Sequence, residues 1–487
     1  MKGVNVSNRP NILFLMTDQM QGRVLDPGHP CQTPNMDRLI QMGVRFKNAY
    51  PANAVCSPSR ASLMTGLLPH NHGVLTVTHT VDSDQSCLRT EHPHWAQRLE
   101  IAGYKTGYFG KWHVERSSKL EQFGWQINGT NGNELWQQRQ KEILGNNPPQ
   151  QTFSLQRNLD NPPGYKESIF YGVTDLPSEQ RNMGVTVSLA EDFLRQASTT
   201  DDPWCCFVSL QEPHDPFISE QSAFDLYEVD GIALPPNVKD DLQGRPGIYR
   251  KAARVWQTFT DQERREAATC YYASITEIDQ LFGRLIDLVE TNGESENTII
   301  VITSDHGELL GAHGLYCKNF SASEEIYNIP LVISGPGCAK GITTDARVGL
   351  HDLCPSLLDL VDCEPIDVPD SRSFASILSD PKSEEHQFTT GFAEYYGGRM
   401  ILTQRVIWNG SWKFVFNGFD FDELYNLDAD PYEMTNLAED PTYQEQLNQM
   451  TSQMWQVAND TNDHSLFNSQ YPILRVASVG PLVLNAK

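Results

Sequence analysis

The segment Cys56-Ser57-Pro58-Ser59-Arg60 combines residue types that could do chemistry. Ser57 is a favoured helix N-cap and Pro58 suits the first helical position, so a helix is predicted to begin here. Cys56 would then precede a helix N-terminus, where free amides and the helix dipole favour an anion. Arg60, about one turn later, carries a planar, permanently charged group that can reach the same place. The alternative is a small buried cysteine beside a surface arginine.

Polar residues that can bind metal ions follow three apolar strands directly. The runs 11–17, 204–210 and 298–304 are continuously apolar, which predicts strands buried on both faces of a parallel sheet. Their carboxyl ends lead into Asp18-Gln19, His214 and Asp305-His306, and a fourth strand leads into Lys111-Trp112-His113. Because ligands of open α/β sheets bind at the carboxyl ends of strands, these residues indicate one shared site.

Composition limits the classes of function. The 487 residues, of which 39% are hydrophobic and 20% charged, predict a globular α/β protein with one large and one smaller domain. The formal net charge of -25 argues against binding to nucleic acid or to an anionic membrane. Neither a membrane-spanning stretch nor a signal peptide is recognisable, so a cytoplasmic location is expected. The ten cysteines lack a paired spacing, and Cys205-Cys206 lies in an apolar run, which favours core thiols over disulfides.

The chain divides into two parts at about residue 380. Residues 1–380 are predicted to form the catalytic domain, a large and mostly parallel sheet flanked by helices. Within it, residues 115–180 are rich in Asn, Gln, Gly and Pro, which predicts long loops that line a pocket or form a surface insertion.

Residues 381–487 are predicted to form a smaller α+β subdomain. Its short strands at 400–404, 405–409, 412–417 and 423–426 predict an antiparallel sheet. A helix is expected at 441–459. The apolar tail, 471–484, either packs against the body or forms a subunit contact, so a homo-oligomer is possible.

Taken together, these motifs resemble the type I sulfatases, the formylglycine-dependent branch of the alkaline phosphatase superfamily. The resemblance covers nearly the whole chain. It rests on Asp18-Gln19, the C-x-P-S-R pattern at 56–60, Gly110-Lys111-Trp112-His113, Pro213-His214, Ser304-Asp305-His306-Gly307-Glu308, Lys318 and the segment 423–431. The Asp-His-Gly-Glu motif also occurs in relatives that cleave phosphates.

The resemblance implies a covalent mechanism. A formylglycine-generating enzyme would convert Cys56 to formylglycine, whose hydrate attacks the sulfur of a small-molecule sulfate ester and displaces the alcohol. Deprotonation of the second hydroxyl would then expel sulfate and restore the aldehyde. By the same resemblance, Arg60 would fix the modified side chain, and Lys111 and Lys318 would balance the sulfate charge.

Two histidines would move the protons. The resemblance implies that His113 takes the proton that triggers sulfate release. It implies that His214, together with Lys318, protonates the leaving alcohol. Imidazole suits both tasks near neutral pH.

A divalent cation is expected to be held by Asp18, Gln19, Cys56, Asp305 and His306. Oxygen ligands favour Ca²⁺ or Mg²⁺, and calcium is usual in the family. His306 stands where many members have Asn, and imidazole shifts the preference towards Mn²⁺. The expected order is therefore Ca²⁺ first, with Mn²⁺ and Mg²⁺ as alternatives.

Two other functions remain open. A phosphonate monoester or phosphodiester hydrolase of the same superfamily shares several motifs, but Lys111-Trp112-His113 resembles the sulfatases. A non-catalytic binding relative is disfavoured because every expected catalytic position holds a competent residue. Segments 115–180, 217–241 and 395–399 are predicted to determine specificity, and their many aromatic and amide side chains suit a small sulfated carbohydrate. Turnover of choline sulfate or an aryl sulfate alone would contradict that preference.

Overall fold

An eight-stranded sheet dominates the computed structural model, which describes residues 9–82, 84–89, 93–146, 149–318, 320–398, 400–467, 472 and 475–485. The strands are β1 (Asn11–Thr17), β2 (Val44–Tyr50), β3 (Lys105–Gly110), β4 (Ile127–Thr130), β5 (Phe153–Asn158), β6 (Ile169–Thr174), β7 (Trp204–Ser209), β8 (Phe217–Glu220), β9 (Thr298–Ser304), β10 (Leu331–Ser334), β11 (Ile342–Gly349), β12 (Thr390–Tyr395), β13 (Gln404–Asn409), β14 (Trp412–Asn417) and β15 (Glu423–Asn426). The helices are α1 (Pro34–Met42), α2 (Cys56–Thr65), α3 (Pro69–His72), α4 (Trp95–Ile101), α5 (Glu134–Leu144), α6 (Asn182–Ala197), α7 (Gln221–Phe224), α8 (Gly247–Ala253), α9 (Asp261–Thr291), α10 (Glu324–Tyr327), α11 (Leu353–Leu360), α12 (Ala375–Ser379), α13 (Pro381–Glu384) and α14 (Gln444–Asp460).

The strand order of the large sheet is β11-β2-β10-β9-β1-β7-β3-β4. All neighbouring strands are parallel except at β10, which runs antiparallel to both β9 and β2. The predicted fold class is confirmed: a mostly parallel sheet with helices, and a second antiparallel sheet near the C-terminus.

The central strands are buried on both faces, which explains their continuously apolar sequences. In β1, Leu13 and Leu15 pack into one core with helices α1, α6 and α9. Ile12 and Phe14 point the other way, into a core with α2, α4 and α11. Burying one such side chain stabilises the fold by about 1.5–3 kcal/mol. This two-sided packing fixes the carboxyl ends of the strands.

The helix that carries Cys56 begins two residues earlier than predicted. Cys56 is the first residue of α2, the N-cap is Val55, and no side chain caps this end. Ser57, the predicted N-cap, instead contacts the Thr78 hydroxyl at 3.5 Å. The prediction of Ser57 as N-cap is therefore wrong, and Cys56 lies inside the first turn.

Residues 115–180 contain more regular structure than predicted. They form β4, α5, β5 and β6, and β5 and β6 join β8 in a three-stranded sheet. Helix α5 begins at a capped residue, since the Asn133 side chain accepts a hydrogen bond from the Trp136 amide at 2.9 Å. Trp136 is the residue of α5 that is buried. The polar composition suggested loops because α5 and β5 bury few of their side chains.

The C-terminal sheet has the order β12-β13-β14-β15 and is antiparallel throughout. The predicted strand at 400–404 is wrong, because residues 400–403 are irregular and β13 begins at Gln404. The neighbour of β13 in this sheet is β12, which was not predicted. Helix α14 covers the sheet, and the described part of the tail packs on it, with Trp455 Nε1 donating to Val479 O at 2.8 Å.

None of the ten cysteines, all of which lie in the described part of the chain, forms a disulfide. Cys205 and Cys206 are fully buried in β7, as predicted for core thiols. Among the described residues, helices of the length and apolarity needed to cross a bilayer are absent.

Candidate active site

The predicted site residues follow four neighbouring strands of the large sheet. Strands β9, β1, β7 and β3 are adjacent and parallel, so their carboxyl ends meet at one edge. Asp305 follows β9, Asp18 follows β1, and Lys111 follows β3. His214 lies five residues beyond β7. Gly110 ends β3 with φ +93°, and a side chain there would collide with the Ser209 carbonyl, which explains the glycine before Lys111.

Four potential ligand atoms converge at this edge. The groups of Asp18, Cys56, Asp305 and His306 that could bind a metal lie within 4.8 Å of one another, and all four residues are buried. His306 Nε2 lies 3.2 Å from Cys56 Sγ, 3.5 Å from Asp18 Oδ1 and 3.6 Å from Asp305 Oδ1. Two carboxylates, an imidazole and a fourth ligand residue suit a divalent cation.

Hydrogen bonds around the cluster orient these ligands. His306 Nδ1 donates to Gly307 O at 2.9 Å, which leaves the Nε2 lone pair facing the cluster. Arg60 binds the outer oxygens of both carboxylates, Asp305 Oδ2 at 2.7 Å and Asp18 Oδ2 at 3.4 Å. Lys111 Nζ also donates to Asp18 Oδ2. The inner oxygens therefore remain directed at the centre of the cluster.

Positive charge dominates the surroundings of Cys56. Burial opposes ionisation of its thiol, but Lys111, Lys318 and His306 outweigh burial and hold the Cys56 pKa well below its ordinary value. The same balance applies to Asp18, whose pKa lies below its ordinary value despite complete burial. The pocket therefore provides the local positive charge that an anionic substrate needs in a chain of net charge -25.

Gln19 lies at the site, but its amide has protein partners. Its Nε2 donates to Asp215 Oδ1 at 3.0 Å and to Glu308 Oε2 at 2.6 Å, and its Oε1 accepts from Lys318 at 2.8 Å. The role of Gln19 as a metal ligand stays a prediction. The observed contacts place it as a bridge between the Glu308 and Lys318 side chains.

Lys318 and His214 form a direct pair. Lys318 Nζ lies 2.7 Å from His214 Nε2, and His214 Nδ1 donates to Asp215 O at 2.7 Å. Burial and Lys318 favour neutral His214, but Asp18 and Asp215 outweigh them and raise its pKa. The pair is therefore a candidate proton donor beside the cluster.

The loop that carries Lys318 is attached to the C-terminal sheet. Tyr395 Oη accepts from Phe320 N at 3.3 Å, and Gln404 Nε2 donates to Phe320 O at 3.4 Å. Lys413 of β14 donates to Ala322 O at 2.5 Å. Strands β12, β13 and β14 thus each hold part of this loop.

His113 contacts a residue that the sequence analysis did not consider. His113 Nε2 lies 3.0 Å from His79 Nδ1, and their rings stack with centroids 5.1 Å apart. His113 Nδ1 is buried and has no hydrogen-bond partner in the described parts of the chain. His79 lies in a short 3-10 helix, Thr78–Thr80, 34 positions before His113, and no sequence pattern connects the two histidines.

A cavity of about 720 Å³ opens onto Cys56, Lys111, His113, His214 and Lys318. Residues that can hydrogen-bond also line it, namely His79, Glu115, Arg116, Ser117, Ser118, Thr130, Asn131, Gln211 and Asp215. Segment 115–180 therefore contributes to the wall of the cavity, as predicted. From segment 395–399, Gly398 lines the cavity. Arg399 lies outside the described residues. None of the described cavity-lining residues comes from segment 217–241, so that part of the specificity prediction is not supported.

Comparisons with known proteins agree with this geometry. The family model described as Sulfatase matches residues 10–363, and the model described as N-sulphoglucosamine sulphohydrolase, C-terminal, matches residues 311–460. A choline-sulfatase of Rhizobium meliloti is 30% identical over 457 residues, covering 89% of this chain and 83% of that protein. An N-acetylglucosamine-6-O-sulfatase of Bacteroides thetaiotaomicron is 26% identical, covering 88% and 83%.

Solved structures share the fold over most of both chains. A phosphonate monoester hydrolase from Silicibacter pomeroyi superposes with a TM-score of 0.76 at 22% identity, covering 94% of this chain and 97% of that chain. The protein BT4656, in complex with its substrate D-glucosamine-2-N,6-O-disulfate, superposes with a TM-score of 0.71 at 23% identity, covering 93% and 98%. At these identities the structures establish the fold, while the family models and the relatives establish the family. The chain therefore belongs to the sulfatase family and is a sulfuric ester hydrolase.

Proposed function

We propose that this protein hydrolyses the sulfate ester of a small carbohydrate, with Cys56 matured to formylglycine as the nucleophile. The convergence of Asp18, Cys56, Asp305 and His306 below a cationic cavity carries this proposal. The hydrated aldehyde supplies one hydroxyl that attacks sulfur and a second whose deprotonation later releases sulfate.

The metal-binding role is proposed for Asp18, Asp305, His306 and the modified Cys56, with Gln19 beside them. Their donor set fits a divalent cation, because the inner carboxylate oxygens and the His306 lone pair face one centre. Ca²⁺ is the expected ion, with Mn²⁺ and Mg²⁺ as alternatives. When bound, the cation would withdraw charge from a sulfate oxygen and from the nucleophile.

Residues of the chain position the substrate and its charge. Lys111 and Lys318 flank Cys56 and would bind the sulfate oxygens, where charge develops in the transition state. Arg60 is 1% exposed and holds Asp18 and Asp305 from behind, so its role is to fix the ligands.

Proton transfers are assigned to the two histidines. The His214–Lys318 pair would donate a proton to the oxygen of the leaving alcohol, which prevents formation of a free alkoxide. The Nε2 atom of His113 contacts His79, whereas its Nδ1 atom has no hydrogen-bond partner in the described chain. Nδ1 of His113 would therefore accept the proton of the second hydroxyl.

The polar cavity wall favours a carbohydrate over choline sulfate. Quaternary ammonium groups are bound by aromatic cages, whereas the wall offers mainly hydroxyl, amide and charged groups. Trp112 and Phe320 are its aromatic members among the described residues. The N-acetylglucosamine-6-O-sulfatase relative agrees with a sugar, and the choline-sulfatase relative makes choline sulfate the first comparison to test.

The decisive experiment compares substrates on protein co-produced with a formylglycine-generating enzyme. We expect sulfate release from 4-nitrophenyl sulfate and from sulfated mono- and disaccharides to exceed that from choline sulfate. Cys56→Ala should remove all activity, and mass spectrometry should find an aldehyde at position 56. Turnover of choline sulfate alone would contradict the proposal of a carbohydrate substrate. Activity of protein in which Cys56 is unmodified would contradict the proposal that formylglycine is the nucleophile.

The second candidate is a phosphonate monoester or phosphodiester hydrolase. The structural similarity to the Silicibacter pomeroyi enzyme favours it. A matched nitrophenyl phenylphosphonate decides between the two. Faster cleavage of the phosphonate than of the sulfate would make the second candidate correct.

A further inference from the structure

We propose a second ligand site that binds an oxoanion group, a carboxylate or a sulfate, in the crevice between the large sheet and the C-terminal sheet. Its centre is Arg347 at the end of β11. This site is separate from the cavity above Cys56, because the two share no described lining residue.

The first observation is a buried arginine without a polar partner. Arg347 is 6% exposed, and within the described chain its guanidinium makes neither a hydrogen bond nor an ion pair. It lies over the ring of Trp408, 5.5 Å from the centroid. Its five N–H donors therefore lie in one plane, have no acceptor in the described chain and face the crevice.

The second observation is the space beside it. A crevice of about 660 Å³ is lined by Arg347 together with Arg23, Lys47, Asn48, Asn328, Ser411 and Tyr432. The amide and hydroxyl groups can bind hydroxyls, and the volume admits a ligand larger than a bare ion. A planar guanidinium binds carboxylate and sulfate in a two-point geometry.

The acidic residues of the crevice do not satisfy Arg347, because they have other partners. Asp26 pairs with Arg45 at 2.5 Å, and Asp345 with Lys47 at 3.7 Å. Glu324 Oε1 accepts from both Lys413 and Trp408 at 2.8 Å.

Asp428 is the remaining acid of the wall and is exposed to water. Burial lowers the pKa of Arg347 and outweighs the charges of Glu324 and Tyr50, which raise it, so the protein compensates the guanidinium charge only in part. An anion supplied from outside would complete this compensation.

Arg347 therefore has the properties of a binding residue more than of a structural one. An arginine needed for folding would donate to the protein around it, and its removal would destabilise the protein. An arginine kept for a ligand is a cost to the ligand-free fold, so its replacement by an apolar chain of similar length is expected to be tolerated.

The test uses the full-length chain and measures binding of D-glucuronate, D-glucose and inorganic sulfate by calorimetry or ligand-observed NMR. Glucuronate carries a carboxylate but no sulfate ester, so it reports on the crevice independently of turnover. We expect glucuronate to bind and glucose to bind at least tenfold more weakly. Arg347→Met should weaken glucuronate binding at least tenfold, Arg347→Lys should retain part of it, and the melting temperature of Arg347→Met should not fall.

A second variant keeps the crevice test independent of Arg347. Ser411→Tyr fills the crevice, leaves Arg347 in place and should also abolish glucuronate binding, while turnover of 4-nitrophenyl sulfate stays unchanged. Stronger binding of inorganic sulfate than of glucuronate, lost in Arg347→Met, would identify a free oxoanion as the ligand. Equal binding of both anions to the parent protein and to Arg347→Met would overturn the proposal, and so would a large loss of stability in Arg347→Met.

Discussion

Two buried clusters in this protein have the same kinds of residue but differ at their centres. The first, here called the Cys56 cluster, contains Asp18, Cys56, Asp305 and His306, and a second cluster contains His313, Glu325 and Glu433. Both clusters include histidine and carboxylates within 4.8 Å, both are fully buried, and both use residues from one stretch of chain after β9.

In the second cluster, side chains of the protein already bind the ligand atoms. The Asn237 amide nitrogen lies 3.1 Å from His313 Nε2 and 3.2 Å from Glu325 Oε1. Lys413 Nζ lies 2.8 Å from Glu433 Oε1. An amide and an ammonium group thus occupy the positions from which a metal would be bound.

In the Cys56 cluster the cationic side chains lie outside the ligand atoms. Arg60 and Lys111 bind the outer oxygens of the carboxylates. Asp18 Oδ1 faces two other ligand atoms of the cluster, His306 Nε2 at 3.5 Å and Cys56 Sγ at 3.7 Å. Residue type alone therefore does not distinguish a candidate metal site from a structural hydrogen-bond network. The two clusters differ in where the hydrogen-bond donors of the protein lie: between the ligand atoms in the second cluster, and behind them in the Cys56 cluster.

The largest effect is expected from Asp18→Asn. Removing this charge should prevent metal binding and lower kcat/KM at least about 10³-fold. The reason is that one metal ligand is lost, and with the metal the electrostatic stabilisation of the nucleophile is lost as well. Metal analysis of the purified proteins and assays with 4-nitrophenyl sulfate measure both. Retention of one equivalent of metal in Asp18→Asn would place the ion elsewhere, with the second cluster as the next candidate.

Lys111→Met should lower kcat about 10²- to 10³-fold, because one positioned cation at developing charge contributes on the order of 3–4 kcal/mol. Lys119→Met, a change at an exposed lysine of the following segment, is the matched control and should leave kcat unaltered. Steady-state kinetics with metal analysis separates the two roles of Lys111. A fall in kcat with full metal content is expected, whereas loss of the metal would show that Lys111 acts mainly on Asp18.

Asn237→Ala tests the second cluster. It leaves His313 and Glu325 without their amide donor, so the free energy of unfolding should fall by about 2 kcal/mol. Chemical denaturation measures this fall, and the exposed Asn459→Ala is the control. Metal content and kcat/KM should stay at the parent values. An additional equivalent of metal in Asn237→Ala would contradict this and would mean that the amide alone excludes an ion.

A pH-dependent effect is expected at His70, which belongs to a third cluster with Glu394 and Asp463. Burial favours neutral His70, but its hydrogen bond to Glu394 at 2.6 Å outweighs burial and raises the pKa to about 9. Since the folded pKa exceeds the unfolded value of about 6.5, the stabilisation is complete below about pH 6.5 and is lost as pH rises towards 9.

His70→Gln should therefore cost about 2 kcal/mol at pH 6 and much less at pH 9.5. Denaturation at the two pH values measures the difference. A cost that does not change with pH would show that the ring packs as a neutral group.

The strands and the site were predictable for the same physical reason. Parallel strands buried on both faces are continuously apolar, and their polar ends must meet at one edge, which located Asp18, His214 and Asp305 from the sequence alone. Helix α5 was missed because its surface is polar and Trp136 supplies its buried contact.

Side-chain direction could not be predicted from the sequence. Gln19 follows Asp18 directly in the sequence. The carboxylate of Asp18 lies in the ligand cluster, whereas the amide of Gln19 forms hydrogen bonds with Glu308 and Lys318. Arg347 and Trp408 are 61 positions apart and meet only because β11 and the C-terminal sheet lie side by side. Such contacts depend on tertiary packing, which local patterns do not encode.

The attachment of the Lys318 loop to β12, β13 and β14 limits how this enzyme can be recombined. The C-terminal sheet holds the backbone at Phe320 and Ala322, so the position of Lys318, for which we propose a catalytic role, depends on residues that a chain ending before β12 would lack. In a chimaera of residues 1–380 with the C-terminal region of a relative, we expect activity only where that region supplies equivalents of Tyr395, Gln404 and Lys413. The smaller sheet thus supports the Lys318 loop, and we expect it not to be exchangeable as an independent module.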